Sequence, residues 1–424
     1  MVTQLPITND RTGATNGREV VIRMYNVGFG DAFLVLLPDG KNQRRILFDC
    51  GSVEAAEDAP MDSIVDRIIR DVTDEDEVAR IDVVVGTHRH KDHVSGFARS
   101  AWDDVEVKEV WMPWTEDPKD FDARRIRETQ SRLALGLNAA FAAKLAVADN
   151  GDKKKLQRCQ SLVENALTLT NDREMKVLHN GFSGNPERRF LPEADKDKVY
   201  QRVYQTDVLP GVKVHVLGPS RETQVIRDME PPKGGSYLAM RAFAESETGK
   251  PPAPFGVEYQ QKTYSGGGTL PDKDKEKIKR AAELSDLAVA VALDKAVNGT
   301  SLMLVLEIAD TFLLFPGDAQ WGTWCAAMED PEWKEMLGRV SFYKIGHHGS
   351  HNATPKKFVE SMMPDGICAM ASTLTRGIWP DIPRAPLLDA LSARHVNLAR
   401  SDDPDNIGNV FKIDEGVIET RIPL

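Results

Sequence analysis

Three of the nine histidines in this 424-residue chain fall in one stretch, Thr87-His88-Arg89-His90-Lys91-Asp92-His93, directly after the apolar run Ile81-Asp82-Val83-Val84-Val85-Gly86. The run reads as a buried strand, so the fold must carry three imidazoles and a carboxylate at the end of a core element. Alternate residues of an extended segment share a side, which directs His88 and His90 together while Asp92 and His93 turn toward a neighbouring position. Imidazole nitrogen and carboxylate oxygen suit zinc, manganese or iron, and this H-x-H-x-D-H spacing supplies ligands for two adjacent ions. A solvated His-rich loop is the bland alternative, and the position behind a buried strand weighs against it.

Two later strand ends carry related groups. Phe312-Leu313-Leu314 lead into Phe315-Pro316-Gly317-Asp318-Ala319, where an Asp just beyond an apolar strand is placed to bridge two ions about 3.5–4 Å apart. Pro-Gly-Asp alone is an ordinary turn more often than a ligand. Tyr343-Lys344-Ile345-Gly346-His347-His348-Gly349-Ser350-His351 ends another strand with paired imidazoles between glycines, a setting that allows close approach to metal or phosphate.

Around these points the pattern is that of an α/β chain. Val20–Tyr25, Ala32–Leu37 and Arg45–Asp49 read as a meander with a turn at Pro38-Asp39-Gly40, and Ile64, Val65, Ile68 and Ile69 give the following segment a helical spacing. The Ala-, Leu- and Lys-rich stretch from Phe121 to about Met175 favours two or three helices. Val212–Leu217 restores strand character before an irregular stretch containing Pro231-Pro232, Pro251-Pro252 and Gly266-Gly267-Gly268. Strands are then expected at Val289–Leu293, Ser301–Ile308, Thr311–Phe315, Val340–Ile345 and Ile367–Ala371. The organisation is a polar tail over 1–17 and one domain over 18–424, with a helical insertion at about 118–200 and an irregular one at about 220–285.

Composition sets the outer limits. With 41% hydrophobic and 28% charged residues the chain is globular rather than fibrous or disordered. Its net charge of −11 excludes a surface that binds nucleic acid everywhere, leaving only local basic stretches at Arg124-Arg125, Arg127, Lys153-Lys154-Lys155 and Arg158. Cys50, Cys159, Cys325 and Cys368 lie far apart with no C-x-x-C pair, so neither a thiolate zinc site nor a disulfide framework is indicated. No run approaches ~18 uninterrupted apolar residues, and a soluble cytoplasmic protein without membrane association is expected.

At these residues the chain resembles the metallo-β-lactamase superfamily, and within it the hydrolase domain of the DNA-uptake protein ComEC and its free-standing relatives. The likeness is carried in order by Asn26-Val27-Gly28-Phe29-Gly30-Asp31-Ala32, by Phe48-Asp49-Cys50-Gly51, by His88 to Gly96, by Asn298-Gly299-Thr300-Ser301-Leu302, by Gly317-Asp318 and by Lys344 to Ser350. It covers about residues 19–112 and 287–372. The resemblance implies an αββα sandwich, two mixed sheets with helices outside, holding two divalent ions, zinc or manganese. It implies His88 and His90 on one ion, Asp92 and His93 on the other, Asp318 between them, and one ligand from the His347/His348 pair; His347 is taken as that ligand, with His348 and Asp92 as catalytic residues. Asp49 resembles the family's buried aspartate that supports the metal loop by hydrogen bonds. The chain departs from the family where another ligand His is usual: only His179 and His215 occur between the first motif and Asp318, and His215 alternates with Val214 and Val216. The first metal site is thus one ligand short, and one ion is expected to be weakly held. Arg376 to Pro380 and Ile382-Pro383 replace the family's Asn and His-Pro.

The expected activity is phosphodiester hydrolysis of DNA or RNA by hydroxide activated on the metal, whose bound water has a pKa of about 7. Trp111 and Trp114, flanking Met112-Pro113, are candidates to stack on bases. Two alternatives stand beside it. One is a hydrolase of a small-molecule ester, lactone or cyclic nucleotide with the 220–285 segment as a lid. The other is a regulatory subunit that binds a protein partner through the helical insertion and keeps the metal structurally.

Overall fold

The computed structural model describes residues 18–40, 42–54, 60–148, 150–166, 172–194, 199–227, 286, 288–350, 352–374 and 382–424. The tail over 1–17, the 228–285 part of the irregular insertion, His351 and the Arg376–Pro380 segment lie outside the described residues.

In chain order the strands are β1 (Glu19–Tyr25), β2 (Phe33–Asp39), β3 (Asn42–Phe48), β4 (Arg80–Val85), β5 (Glu106–Pro113), β6 (Glu187–Leu191), β7 (Val203–Tyr204) and β8 (Val212–Gly218). They continue with β9 (Met303–Ile308), β10 (Thr311–Phe315), β11 (Val340–Lys344), β12 (Cys368–Ala371), β13 (Asn397–Arg400), β14 (Phe411–Asp414) and β15 (Val417–Pro423). They form an 8-stranded sheet in the order β14-β15-β1-β2-β3-β4-β5-β6 and a 7-stranded sheet in the order β13-β12-β11-β10-β9-β8-β7. Both are mixed in the same way. The first is antiparallel from β14 to β3 and parallel from β3 to β6; the second is antiparallel from β7 to β10 and parallel from β10 to β13.

The period-2 pattern of the strands decides which face meets which. β1 sends Val20, Ile22 and Met24 into a core shared with Leu304 and Leu306 of β9, Phe315 of β10 and Phe342 of β11, so the two sheets pack face to face. The Phe48 and Phe315 rings, one from each sheet, stack at 4.1 Å between centroids, an arrangement worth about 0.5–1.5 kcal/mol beyond the area it buries. The alternate residues face outward under helices. Val21 and Tyr25 meet α1 (Met61–Asp71), which buries Met61, Ile64, Val65 and Ile68 at i, i+3, i+4 and i+7. On the far side Met303 and Val305 pack against a group of helices bearing Trp324, Leu337 and Leu387.

Helices also gather above one end of the sheets. After α2 (Lys91–Val94) come α3 (Phe121–Val147), α4 (Asn150–Ala166) and α5 (Asp172–Asn180); Asp120 starts α3 by accepting from the Ala123 N–H at 2.8 Å. α6 (Thr223–Arg227) precedes α7, a helix over 288–298. The strand expected at Val289–Leu293 is therefore helical. A short apolar run does not distinguish the two states, and here Ala290, Leu293 and Val297 recur at helical spacing and share a core with Phe141 of α3 and Val163 of α4. The helical insertion is also shorter than its expected 118–200, because β6 at 187–191 pairs in parallel with β5 as a full sheet member. Among the described residues no helix is long and apolar enough to cross a membrane.

Candidate metal centre

The polar turns singled out by sequence all leave the carboxyl ends of parallel-paired strands: Asp49 follows β3, His88 to His93 follow β4, Asp318 follows β10, and His347 and His348 follow β11. Strands of one direction deliver their loops to one end of a sheet, which is where α/β folds place their sites. Face-to-face packing then brings the loops of the two sheets together.

Within the β4 loop the alternation is enforced by a partner on the far side. Arg89 turns away to pair with Glu116, donating from Nε to Oε1 at 2.7 Å, so that His88 and His90 point the other way with His88 Nε2 and His90 Nδ1 3.1 Å apart. The one-turn helix α2 then carries Asp92 and His93. Asp49 ties the loop down: it accepts from the Thr87 N–H at 2.8 Å and hydroxyl at 2.7 Å, and its Oδ2 lies 2.8 Å from His93 Nδ1. That bond fixes the His93 ring so that Nε2 faces Asp318 Oδ2 at 3.3 Å. Gly51 allows this close packing, since a Cβ there would stand 2.5 Å from the His93 backbone.

From the other sheet, Asp318 Oδ2 also lies 4.0 Å from His88 Nε2 and 3.9 Å from His347 Nε2, while its Oδ1 accepts from the His347 N–H at 3.1 Å. His348 Nδ1 donates to the Ser372 carbonyl at 2.8 Å, and its Nε2 lies 3.1 Å from Asp92 Oδ2; burial opposes a charge there, but Asp92, Asp31 and Asp318 outweigh it and raise the ring's proton affinity above the ordinary value. Asp92, His93, Asp318 and His348 thus offer ligand atoms within 4.8 Å of one another, all buried. His347 stands at the edge of this group and lines the adjoining cleft. His348 is therefore among the four clustered groups, while His347, the ligand the sequence offered, stands outside them with its Nε2 3.9 Å from Asp318 Oδ2. Asp49, His347 and His348 all have positive φ, at 55°, 47° and 54°. Such backbone costs on the order of 1–3 kcal/mol per residue and persists where the surroundings over-determine it.

The donor set fits a cation. His90 Nε2, Asp92 Oδ1, His93 Nε2, Asp318 Oδ2 and His347 Nδ1 are buried without a hydrogen-bond partner, and each such atom costs about 1–3 kcal/mol unless something satisfies it. Protonation states agree. Burial and the neighbouring imidazoles hold His88 well below its ordinary range and His90 down to about 4. Burial works against ionised Asp92 and Asp318, yet His93 and other cationic neighbours outweigh it and keep both carboxyls low. Burial likewise opposes a charged His93, but Asp318, Asp49 and Asp92 overcome it and raise its proton affinity well above the ordinary value. His88 and His90 are thus held neutral, whereas His93, and His348 beside Asp92, keep a proton that a divalent metal must displace.

Three participants had no role in the sequence reading. Lys344 is buried and ion-paired with Asp31, with its Nζ 3.9 Å from Asp318 Oδ1; both sit inside quoted motifs, so their position was visible and their partnership was not. Asp294, on α7, lies 3.9 Å from His90 Nε2. Burial and the charges of Asp92 and Asp318 push its carboxyl up to about 8, and its place was hidden because its helix reads as a strand. Of the two histidines weighed as a missing ligand, His179 lies 3.9 Å from Glu116, and His215 pairs with Glu307 at 2.6 Å on β8; neither joins the cluster. Trp111 and Trp114 are buried, with the Trp111 indole N–H donating to Glu109 at 2.7 Å and Arg221 covering the Trp114 ring at 3.8 Å, so neither is open to a base. Arg127 is spent on the Thr115 and Asp117 carbonyls. Comparison of the chain with family models gives no match, and comparison with curated proteins gives none either.

Proposed function

We propose that the chain is a metal-dependent hydrolase of the metallo-β-lactamase fold that cleaves phosphodiesters. The observation that carries this reading is the set of orphaned imidazole nitrogens and carboxylate oxygens gathered at the strand ends of two packed sheets. His88 and His90 would hold one ion, Asp92, His93 and His348 a second, and Asp318 both; zinc and manganese suit these donors. When bound, such ions supply Lewis acidity and water with a pKa of about 7. Asp49 keeps His93 oriented, the Ser372 carbonyl keeps His348 in the tautomer that presents Nε2, and His347, at the cleft, is placed to pass a proton to the leaving oxygen. Asp294, on α7 beside His90, would supply a further oxygen donor once the ion displaces the proton its raised carboxyl otherwise keeps.

Turnover of bis(p-nitrophenyl) phosphate and of single-stranded DNA by protein loaded with manganese or zinc, abolished by a chelator and restored by metal, is the expected result. Stoichiometric metal with no phosphodiester turnover, or turnover of a chromogenic lactone or lactam instead, overturns it. The small-ester alternative keeps one supporting observation, the burial of Trp111 and Trp114, which removes one ground for nucleic acid.

Metal uptake also has a pH signature. The protons that the buried carboxylates hold on His93 and His348 must leave before both Nε2 atoms bind an ion. Affinity is therefore expected to rise with pH, by about tenfold per unit for each displaced proton, until the pH passes the raised His93 and His348 values. Calorimetric titration in two buffers of different ionisation enthalpy reads those protons directly; equal heats in both would remove His93 and His348 as ligands.

A further inference from the structure

Two of the clustered imidazoles have a support of their own and two do not. Asp49 fixes the His93 ring, and the Ser372 carbonyl fixes that of His348. Among the described residues the His90 ring has one hydrogen-bonding neighbour, His88, and the His88 ring has besides it only the Thr87 hydroxyl at 3.2 Å. A metal-binding imidazole ordinarily gives its second nitrogen to a carboxylate or a carbonyl, which sets the plane of the ring. For His88 and His90 the support has to come through the backbone, and the residue between them supplies it.

Arg89 projects to the opposite side of the extended loop. Its guanidinium grips Glu116 with two arms, Nε on Oε1 at 2.7 Å and Nη2 on Oε2, and the two residues are only 8% and 2% exposed. Burial opposes an ionised Glu116, but Arg89 and, beyond it, His179 outweigh that and hold the carboxyl well below its ordinary range. A two-armed pair of this kind fixes plane as well as distance. Twisting the loop about its own axis would break two buried bonds at once.

Glu116 is itself held in place. It ends the short turn Trp114–Glu116 that follows β5, the neighbour of β4 in the sheet. Arg127 of α3 reaches over this turn to donate to the Thr115 carbonyl and, at 3.1 Å, to the Asp117 carbonyl. The Trp114 indole N–H donates to the Ser220 carbonyl at 3.2 Å, and Arg221, which lies on the Trp114 ring, pairs at 2.7 Å with Asp120 at the start of α3. Contacts therefore run from the helical insertion through one turn into the loop that presents His88 and His90.

We infer that Arg89 and Glu116 are positioning residues for an ion held by His88 and His90, and that α3, through Arg127, keeps Glu116 in place for that purpose. The inference rests on the two-ion reading proposed above. It makes the two ions unequal: the site at Asp92, His93 and His348 has its own supports in Asp49 and Ser372 and does not depend on the Arg89 pair.

The test is calorimetric titration of the chelator-stripped full chain with zinc, read as two binding steps, with urea unfolding of each variant alongside. His88→Ala identifies the step that belongs to His88 and His90. Glu116→Gln is expected to weaken that step by about 10–100-fold and to leave the other within about threefold of wild type. Because Glu116→Gln leaves a buried guanidinium unpaired and can fail to fold, the double variant Arg89→Met with Glu116→Gln removes both charges, an exchange that buried pairs tolerate. The double variant is expected to unfold near the wild-type urea midpoint and to lose the same step. Arg127→Leu is expected to weaken that step in the same direction by less. Unchanged affinities in the double variant, or an equal loss in both steps, overturn the inference and leave the metal site standing, as does zinc uptake that His88→Ala leaves unaltered. Wild-type protein that takes up no zinc overturns the two-ion reading and the inference with it.

Discussion

Asp318→Ala is expected to lose bound metal and to lower phosphodiester turnover by roughly a thousandfold, about 4 kcal/mol of transition-state stabilisation. The reason is the position of one oxygen. Asp318 Oδ2 has His93 Nε2 at 3.3 Å, His347 Nε2 at 3.9 Å and His88 Nε2 at 4.0 Å, so it is the atom at which ligands from both sheets converge. No neighbouring carboxylate replaces it, because Asp92 is engaged by His348 and Asp49 by Thr87 and His93. Elemental analysis gives the metal content and a chromogenic diester gives the rate. Retention of wild-type metal stoichiometry with a rate within threefold would falsify the bridging role. Asp318→Asn keeps an acceptor for the His347 N–H and separates loss of charge from loss of that hydrogen bond.

Lys344→Met is expected to destabilise the fold by about 3–5 kcal/mol, the cost of leaving a buried partner charge unpaired. Lys344 sits at the end of β11 and its ammonium lies between Asp31 and Asp318. Burial disfavours that charge, but the two carboxylates outweigh it and raise the lysine's proton affinity above the ordinary value. Methionine matches the length of the chain and supplies no charge, so Asp31, held under the β4 loop by its N–H to the Asp92 carbonyl at 2.9 Å, is stranded. Urea unfolding followed by circular dichroism measures the loss. The double variant Lys344→Met with Asp31→Asn is expected to recover part of it, since the pair couples. A single-variant loss below 1 kcal/mol would show that water satisfies Asp31 instead.

The parts of the fold that sequence makes legible are those in which local pattern and burial agree. β1 to β4 and the strands of the second parallel block carry apolar runs that end abruptly in polar turns, and the turns hold His88, His90, Asp92, His93 and Asp318. What sequence leaves hidden depends on distant partners. The stretch around Val289 suits strand and helix equally until Phe141 and Val163 supply a helical neighbour. His347 and His348 are adjacent and both adopt positive φ; which ring turns inward is decided by the Ser372 carbonyl, from a strand end 24 residues away. Trp111 reads as a base-stacking candidate because nothing near it in the chain shows that Glu109 and Tyr204 enclose it.

The pairing of β1 with β15, where Arg23 meets Glu419 across a separation of 396 residues, bears on how the molecule is made. During synthesis the first strands can form their hairpins early, but β1 keeps an unpaired edge until β15 has been made, and an open edge is an invitation to association. Chain closure over so long a loop is slow, so the sheet is finished late. The clustered groups have the same order of birth: His88 to His93, held by Asp49, arrive with the first sheet, Asp318 and His348 with the second. An ion held by both groups, as proposed above, would be captured only once the loops of the two sheets have met.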